Sequence, residues 1–543
     1  MFEPDRAAAI TIHEEPVGDA LDAAAARWGE ATGWIFEDDA ISFVAMRQAT
    51  DAAARALIAA GIGEGDIVAL WMPNRPEFAA VQFACAKIGA ILVAINTRFK
   101  SFEVAHMLAE TEARILILVE RFLKHDYLAL LAEIGVDIAA PGSGAFSHLK
   151  TIVSVEAEPD HRLQPWQDFV AAGAAVPAGE LGRRQRARRW DEPILLQYTS
   201  GTTAAPKGAL LNHRYVLNVG NELFANMGVS EGDPVLNTQP FYHIGGSCGA
   251  IPTPLTLGCK MVIPSFYEAE RALQLIERER CVARTGFAAM YIMEMAHPRF
   301  ADYDISSIRA GWCSGTRETL DKVRDAMNIP YLMLTYSSTE VGGTASHYTD
   351  SWEQRSTTSG RPLIGTELAI RDPETGRHLG PGEPGEILMR GWWTMNGYFR
   401  QPEQTARAID AEGWVHTGDR GVLDDAGCLR FLGRFKDMLK VGGENVSAEE
   451  VEGFLLNHPK VKQVAVIGVP DRRLEEVPLA IVELQDDAQA DAGEFAAFCA
   501  GGMANFRVPR HFRFVRDWPM TGSGKIIKNR LREIFLPEFE EMA

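Results

Sequence analysis

The 543-residue chain is short of cysteine, of basic charge and of long apolar runs. Its seven cysteines, Cys85, Cys248, Cys259, Cys281, Cys313, Cys428 and Cys499, are odd in number and contain no C-x-x-C pair. That excludes a disulfide framework and a zinc site, and points to a reducing compartment. No stretch of about 18 apolar residues occurs, so no transmembrane helix is expected. Met1 to Pro16 carries acids and no apolar core, unlike a secretory signal, and Glu540-Glu541-Met542-Ala543 matches no recognised address, so a cytoplasmic location is the expectation. Lys and Arg number 54 against 73 Asp and Glu, a net charge of −19. Such a chain is soluble and a poor partner for nucleic acid. Its one basic run, Arg183, Arg184, Arg186, Arg188 and Arg189, has no interleaved aromatic beyond Trp190 and reads as a solvated linker.

What is present is globular: 46% hydrophobic, 23% charged, and long enough for several domains. Ala20 to Trp28, Ala45 to Ala60 and Pro76 to Ile88 read as helices, and Ile67 to Trp71 and Ala90 to Ile95 as strands. The same alternation recurs from Ile194 to about Leu334. It implies parallel sheets covered on both faces, hence an α/β fold. From about 350 to 434, Gly and Pro become frequent and strands short, as in a small antiparallel sheet or barrel. A compact α+β segment follows, with helices over Val446 to Leu456 and Glu494 to Met503 and strands over Val461 to Gly468 and Ala480 to Leu484.

The most informative stretch is Tyr198-Thr199-Ser200-Gly201-Thr202-Thr203-Ala204-Ala205-Pro206-Lys207-Gly208. Ten of these residues, Thr199 to Gly208, hold four hydroxyls, two glycines and a lysine, the groups that wrap phosphate oxygens. The loop follows the apolar strand Pro193 to Gln197. It is not a Walker A loop, because Lys207 precedes its glycine and no Ser or Thr follows. The alternative is a plain Ser/Thr/Gly surface loop. Further on, Tyr336-Ser337-Ser338-Thr339-Glu340 puts a carboxylate beside hydroxyls after an apolar run. That suits a magnesium ion bridging phosphates, or equally a turn with a helix cap at Ser338 or Thr339. In Trp414-Val415-His416-Thr417-Gly418-Asp419, the aspartate at a turn can accept ribose hydroxyls, or close a simple Gly-Asp turn.

Taken in order, these motifs resemble the adenylate-forming superfamily, which includes acyl-CoA synthetases, over about residues 20 to 530. Matching segments are the loop Thr199, Ser200, Gly201, Thr202, Thr203 and Lys207; Ser314-Gly315-Thr316; Tyr336 with Ser338, Thr339 and Glu340; Asp419; Gly433-Arg434-Phe435-Lys436-Asp437; Gly442-Gly443-Glu444; and Thr521-Gly522-Ser523-Gly524-Lys525. Pro240-Phe241-Tyr242-His243-Ile244 resembles the acyl-pocket motif, and Gly382-Glu383-Pro384-Gly385-Glu386 an element of the β-rich part.

The resemblance implies a large N-terminal adenylation domain, 1–434, of two α/β parallel-sheet subdomains plus a small β-barrel-like subdomain, and a small mobile α+β domain, 435–543. It implies ATP, Mg2+ and coenzyme A as cofactors and co-substrates. Phosphates would lie on the loop, the adenine near Ser314, Gly315, Thr316 and Tyr336, and the ribose on Asp419 and Arg434. Glu340 would hold the metal, His243 would line the acyl site, and Lys525 would reach the carboxylate and α-phosphate. Gly442, Gly443 and Glu444 would line the pantetheine path, and a homodimer is compatible with the family. Two departures stand out: Ala204 and Ser337 occupy positions where the family has glycine, and Ser337 implies a short acyl channel. The pocket stretch holds no carboxylate, which argues against an amino-acid substrate. Phe241, Tyr242, Ile244, Phe287, Met290 and Tyr291 suggest an apolar acyl group, and Trp312 suggests limited depth.

Two decoys remain. Gly380-x-Gly382-x-x-Gly385 is broken by Pro381 and Pro384 and reads as a turn. Gly245-x-Ser247-x-Gly249 fits a hydrolase nucleophile elbow, so the rival is an α/β-hydrolase esterase using Ser247, although Pro252 and Pro254 interrupt the helix that should follow.

Overall fold

The computed structural model describes residues 10–156, 163–199, 207–441, 444–471, 474–501, 503, 505–521 and 525–539. Two large sheets lie in its N-terminal part. The first has eight strands, in the order Gly397–Tyr398, Lys207–Asn212, Pro193–Thr199, Ile91–Ala94, Ile67–Trp71, Ile115–Leu118, Thr151–Ser154, Gln164–Pro165. Its central strands are buried along their whole length, as parallel strands covered on both faces must be. The helix Pro76–Ile88 starts on a proline whose missing N–H is no loss at a first turn, and stops at Gly89 in the left-handed region (φ 80°). A Cβ on Gly89 would stand 2.0 Å from the Arg188 guanidinium.

The arginine run is a short helix, Glu180–Arg186, and its tail. Arg183 and Arg184 pair with Glu180, Arg188 with Glu64 and Glu192, and Arg189 with Asp191. The expected solvated linker is therefore a short helix packed on the helices Pro76–Ile88 and Phe43–Ala59, with Arg183, Arg186 and Arg189 left in solvent.

The second sheet runs Tyr331–Met333, Ala310–Ser314, Ala283–Phe287, Pro234–Asn237, Lys260–Ile263, Thr32–Phe36, Asp39–Ser42. All but the last pair in parallel. The earliest strand in the chain thus joins the later sheet, where Trp34 Nε1 donates to Ile251 O across the core. Beyond Leu334 come a three-stranded antiparallel sheet ending at Arg361–Pro362 and a four-stranded one, Thr366–Arg371, Gly385–Gly391, Val415–Leu423 and Leu429–Arg434.

Residues from Met438 onward build a mixed five-stranded sheet with its own cores. Along Val461–Asp471, Val464 and Val466 face one cluster with Val451 and Phe495. The alternate Ala465 and Ile467 face another with Leu531 and Phe535. This is the period-two alternation of a strand buried on both sides. All seven cysteines are buried and unpaired. Among the described residues, no helix is long and apolar enough to cross a membrane.

Candidate active site

Four neighbouring parallel strands of the second sheet end on one side, at Asn237, Phe287, Ser314 and Met333. Carboxyl ends of parallel strands are where α/β proteins bind ligands, because the loops there converge on a crevice. His243 lies beyond the first, capping the short helix Ile244–Ser247 with its Nδ1 accepting the Gly245 N–H at 3.3 Å. Burial, with the charge of Lys525 added, pushes the His243 pKa down to about 4, so the ring is neutral at physiological pH. Phe287 closes the second strand, and its ring meets Trp312 edge to face at 5.4 Å. Ser314 Oγ accepts the Ala288 N–H at 3.4 Å. Gly315 takes φ 149°, and Thr316 caps the helix Arg317–Met327.

Lys525 arrives from the C-terminal part. Thr521 and Lys525 close a tight turn: the Thr521 N–H donates to Lys525 O at 2.7 Å, and the Lys525 N–H to Thr521 Oγ1 at 3.0 Å. The ammonium stands 5.5 Å from the Phe287 ring centre. Burial and nearby Arg434 hold its pKa below the usual lysine range, with Asp419 acting the other way. One lysine thus joins His243, Phe287, Arg434 and Asp419, which lie far apart in the sequence.

Asp419 and Arg434 face each other across two antiparallel strands, and Arg434 Nε lies 3.0 Å from Asp419 Oδ1. Tyr336 OH donates to Asp419 Oδ2 at 2.7 Å, and the Tyr336 ring stacks near Phe431 at 5.7 Å. Buried beside Asp419, the Tyr336 phenol is held well above its usual pKa and stays a donor. Glu340 Oε1 accepts from Tyr398 OH at 2.8 Å. The same Tyr398 ring lies 5.2 Å from Lys207 Nζ, which donates to Gln404 Oε1 at 2.8 Å. The Ser338 and Thr339 carbonyls accept from Tyr215 OH at 3.3 and 3.2 Å, and no helix follows for either residue to cap.

Thr199 pairs with Lys207 across two antiparallel strands that flank the phosphate-type segment. Ser200, Gly201, Thr202 and Thr203 lie outside the described residues, as do Gly442 and Gly443; the backbone of Glu444 pairs with Val441. Among the described residues, no three His, Cys, Asp or Glu side chains cluster as a metal cage. A magnesium ion that arrives on a nucleotide needs only one or two carboxylates besides phosphates and water, so Glu340 fits it.

The structure corrects three expectations. Phe241 is fully buried and packs edge-on against Phe36 and Phe78, so it is core and not pocket lining. Tyr291 is likewise buried. Ser247 ends the four-residue helix Ile244–Ser247 and is fully buried, with its Oγ donating to Gln197 Oε1 at 3.0 Å, which leaves no exposed elbow for an esterase nucleophile. Tyr242, Ile244, Phe287, Met290 and Trp312 keep partial exposure. Sequence reasoning missed Tyr398 and Tyr215. Tyr398 follows an Asn-Gly pair and carried no chemical signal.

Residues 21–399 match the model of the AMP-binding enzyme family, and residues 450–525 that of the AMP-binding enzyme C-terminal domain. YngI of Bacillus subtilis, a protein assigned as an acyl-CoA synthetase, is 35% identical over 490 residues, 88% of this chain and 89% of its own. The mitochondrial medium-chain acyl-CoA ligase ACSF2 of Bos taurus is 33% identical over 96% of this chain and 88% of its own. The crystal structure of the anthranilate CoA ligase AuaEII with anthranoyl-AMP superposes with a TM-score of 0.84 at 25% identity, covering 98% of both chains. Acyl-CoA synthetases of this family use ATP, Mg2+ and coenzyme A. The chain therefore belongs to the AMP-binding enzyme family, as an adenylate-forming acid–coenzyme A ligase of its acyl-CoA synthetase branch.

Proposed function

We propose that the enzyme activates an apolar carboxylic acid of medium size, whether straight, branched, cyclic or aryl. The observation that carries this is the Lys525 ammonium 5.5 Å from the Phe287 ring centre, with the apolar side chains of Tyr242, Ile244, Met290 and Trp312 left partly exposed. A carboxylate held by Lys525 would direct its tail among those groups. No carboxylate stands in the stretch Phe241 to Ile244 to hold a substrate amine. A medium-chain ligase and an anthranilate ligase among the similar proteins agree with this range.

In the first half-reaction a carboxylate oxygen attacks the α-phosphorus. The bond to the β-phosphate breaks, and pyrophosphate leaves. Lys525 holds the carboxylate and α-phosphate together, which is catalysis by placement and charge. Asp419 and Arg434 take the ribose, Tyr336 and Ser314 to Thr316 the adenine, and Lys207 with residues 199–203 the terminal phosphates. Bound Mg2+ neutralises phosphate charge, and Glu340 is the residue that would hold it. In the second half-reaction the coenzyme A sulfur attacks the acyl carbon, AMP leaves, and the thiol proton passes to solvent. Gly442, Gly443 and Glu444 serve that step after residues 435–543 turn about Asp437, relative to residues 1–434. Buried free cysteines support a reducing compartment, the cytoplasm.

Pyrophosphate release measured over short, medium, branched, aryl and long-chain acids, with and without coenzyme A, tests the reading. Release is expected to depend on an apolar acid, and thioester and AMP to form only with coenzyme A. Release with amino acids alone would contradict it.

A further inference from the structure

The helix Ala288–Met295 carries part of the acyl wall, and beneath it lies a buried ion pair that neither half-reaction uses. Arg284, on the strand Ala283–Phe287, and Glu294, on the helix, are both fully buried. Arg284 Nη2 donates to Glu294 Oε1 at 2.9 Å, and Nη1 donates to Oε2, a two-pronged grip. The guanidinium lies 4.1 Å from the Tyr291 ring centre. Tyr291 OH donates to Trp312 O at 2.9 Å, and Tyr267 OH to Met290 O at 2.7 Å and towards Glu294 Oε1 at 3.3 Å. The slot is cut for Tyr291: a Cβ on Gly286 would meet its ring at 2.8 Å, and one on Gly311 its hydroxyl at 2.9 Å.

Stability does not account for such a pair, because apolar side chains of similar volume hold a core at least as well as a buried ion pair. What the pair adds is direction. It fixes the register of the helix on the strand, and each apolar group of the acyl wall sits one step away. Phe287 ends the strand, the Met290 carbonyl is held by Tyr267, and the Trp312 carbonyl is held by Tyr291. Thr238 Oγ1 reaches Met290 Sδ at 3.4 Å from the facing loop.

We propose that Arg284, Glu294 and Tyr291 are positioning residues that set the depth of the acyl pocket, and with it selectivity for acid length and bulk. The proposal rests on the reading of Phe287, Met290 and Trp312 as acyl wall. Tyr291→Phe removes the bond to Trp312 and leaves the ion pair. The double variant Arg284→Met/Glu294→Leu removes both charges and keeps the volume.

Each full-length variant is assayed by pyrophosphate release over a graded series of straight-chain and aryl acids, with thermal unfolding in parallel. The expected result is a shift of about ten-fold, the size of one methylene in an apolar pocket, in the kcat/KM ratio of the largest to the smallest accepted acid. It is expected in the acid KM, with the KM for ATP unchanged. Folded variants that keep the wild-type length profile overturn the proposal while leaving the adenylation reading intact. A wild-type enzyme that releases pyrophosphate with none of these acids overturns the apolar-acid reading instead.

Discussion

Tyr398 ties together two candidate site residues that the sequence sets far apart, with its ring against Lys207 and its hydroxyl on Glu340. Tyr398→Phe is expected to slow pyrophosphate release about ten-fold, the worth of one hydrogen bond to a charged group, and to raise the Mg2+ needed for half-maximal rate. An unchanged magnesium titration would detach Tyr398 from the site. Glu222 gives a second test away from the chemistry. It is 1% exposed, with Oε2 accepting the Ile364 N–H at 2.8 Å, and burial pushes its carboxyl up to about 7. Its folded pKa lies above the unfolded 4.5, so its protonated form stabilises the fold fully below about pH 4.5 and loses that effect as pH rises through about 7. Glu222→Gln should therefore gain on the wild type with rising pH, by about 2–3 kcal/mol at pH 8 relative to pH 5, in denaturant unfolding. A difference flat with pH would contradict the assignment. At this scale the candidate residues were legible, because Asp419, Glu340 and Lys525 sit in local motifs. Their surroundings were not, because Tyr398 reaches Glu340, and Tyr215 the Ser338 and Thr339 carbonyls, from other elements.

Among elements, the helix Ala448–Leu455 decides how the C-terminal part docks. A Cβ on Gly453 would stand 2.7 Å from Thr316 Cγ2, at the adenine turn, and one on Gly433 (φ 107°) 2.1 Å from Glu449 Oε2. Two glycines thus let this helix settle on the N-terminal part. Gly453→Val should disturb that contact by about 1–3 kcal/mol and lower acid-dependent pyrophosphate release by about 10–100-fold, while sparing thioester formation from supplied acyl adenylate. Equal loss of both steps would point to general unfolding. Strands and helices were legible from their periods: Ile67–Trp71 and Pro76–Ile88 fall where alternation and the Pro and Gly punctuation set them. The order of strands was not legible. Nothing local tells Thr32–Phe36 to join Lys260–Ile263, since that pairing is won by burying Trp34 in a core assembled later in the chain. The ion pairs of the arginine run were not legible for a similar reason, as its partners Glu64 and Glu180 lie outside it.

For the whole molecule, the central feature is that Lys525 crosses from one folded unit to reach the strand ends of another. In this pose Asp437, at the turn between the units, pairs with Arg532 at 3.0 Å. Gly442 and Gly443, proposed for the other half-reaction, lie outside the described residues. Sequence spacing announced both motifs and could not say which one the folded chain presents, because the choice is made by contacts such as Gly453 on Thr316. Separating the half-reactions in Lys525→Ala is the most direct test. The account predicts that this variant loses about 100-fold or more in acid-dependent pyrophosphate release, as expected for removing a positioned charge from a transition state, yet forms thioester from supplied acyl adenylate and coenzyme A at close to the wild-type rate. Loss of both steps together, or of neither, would contradict it.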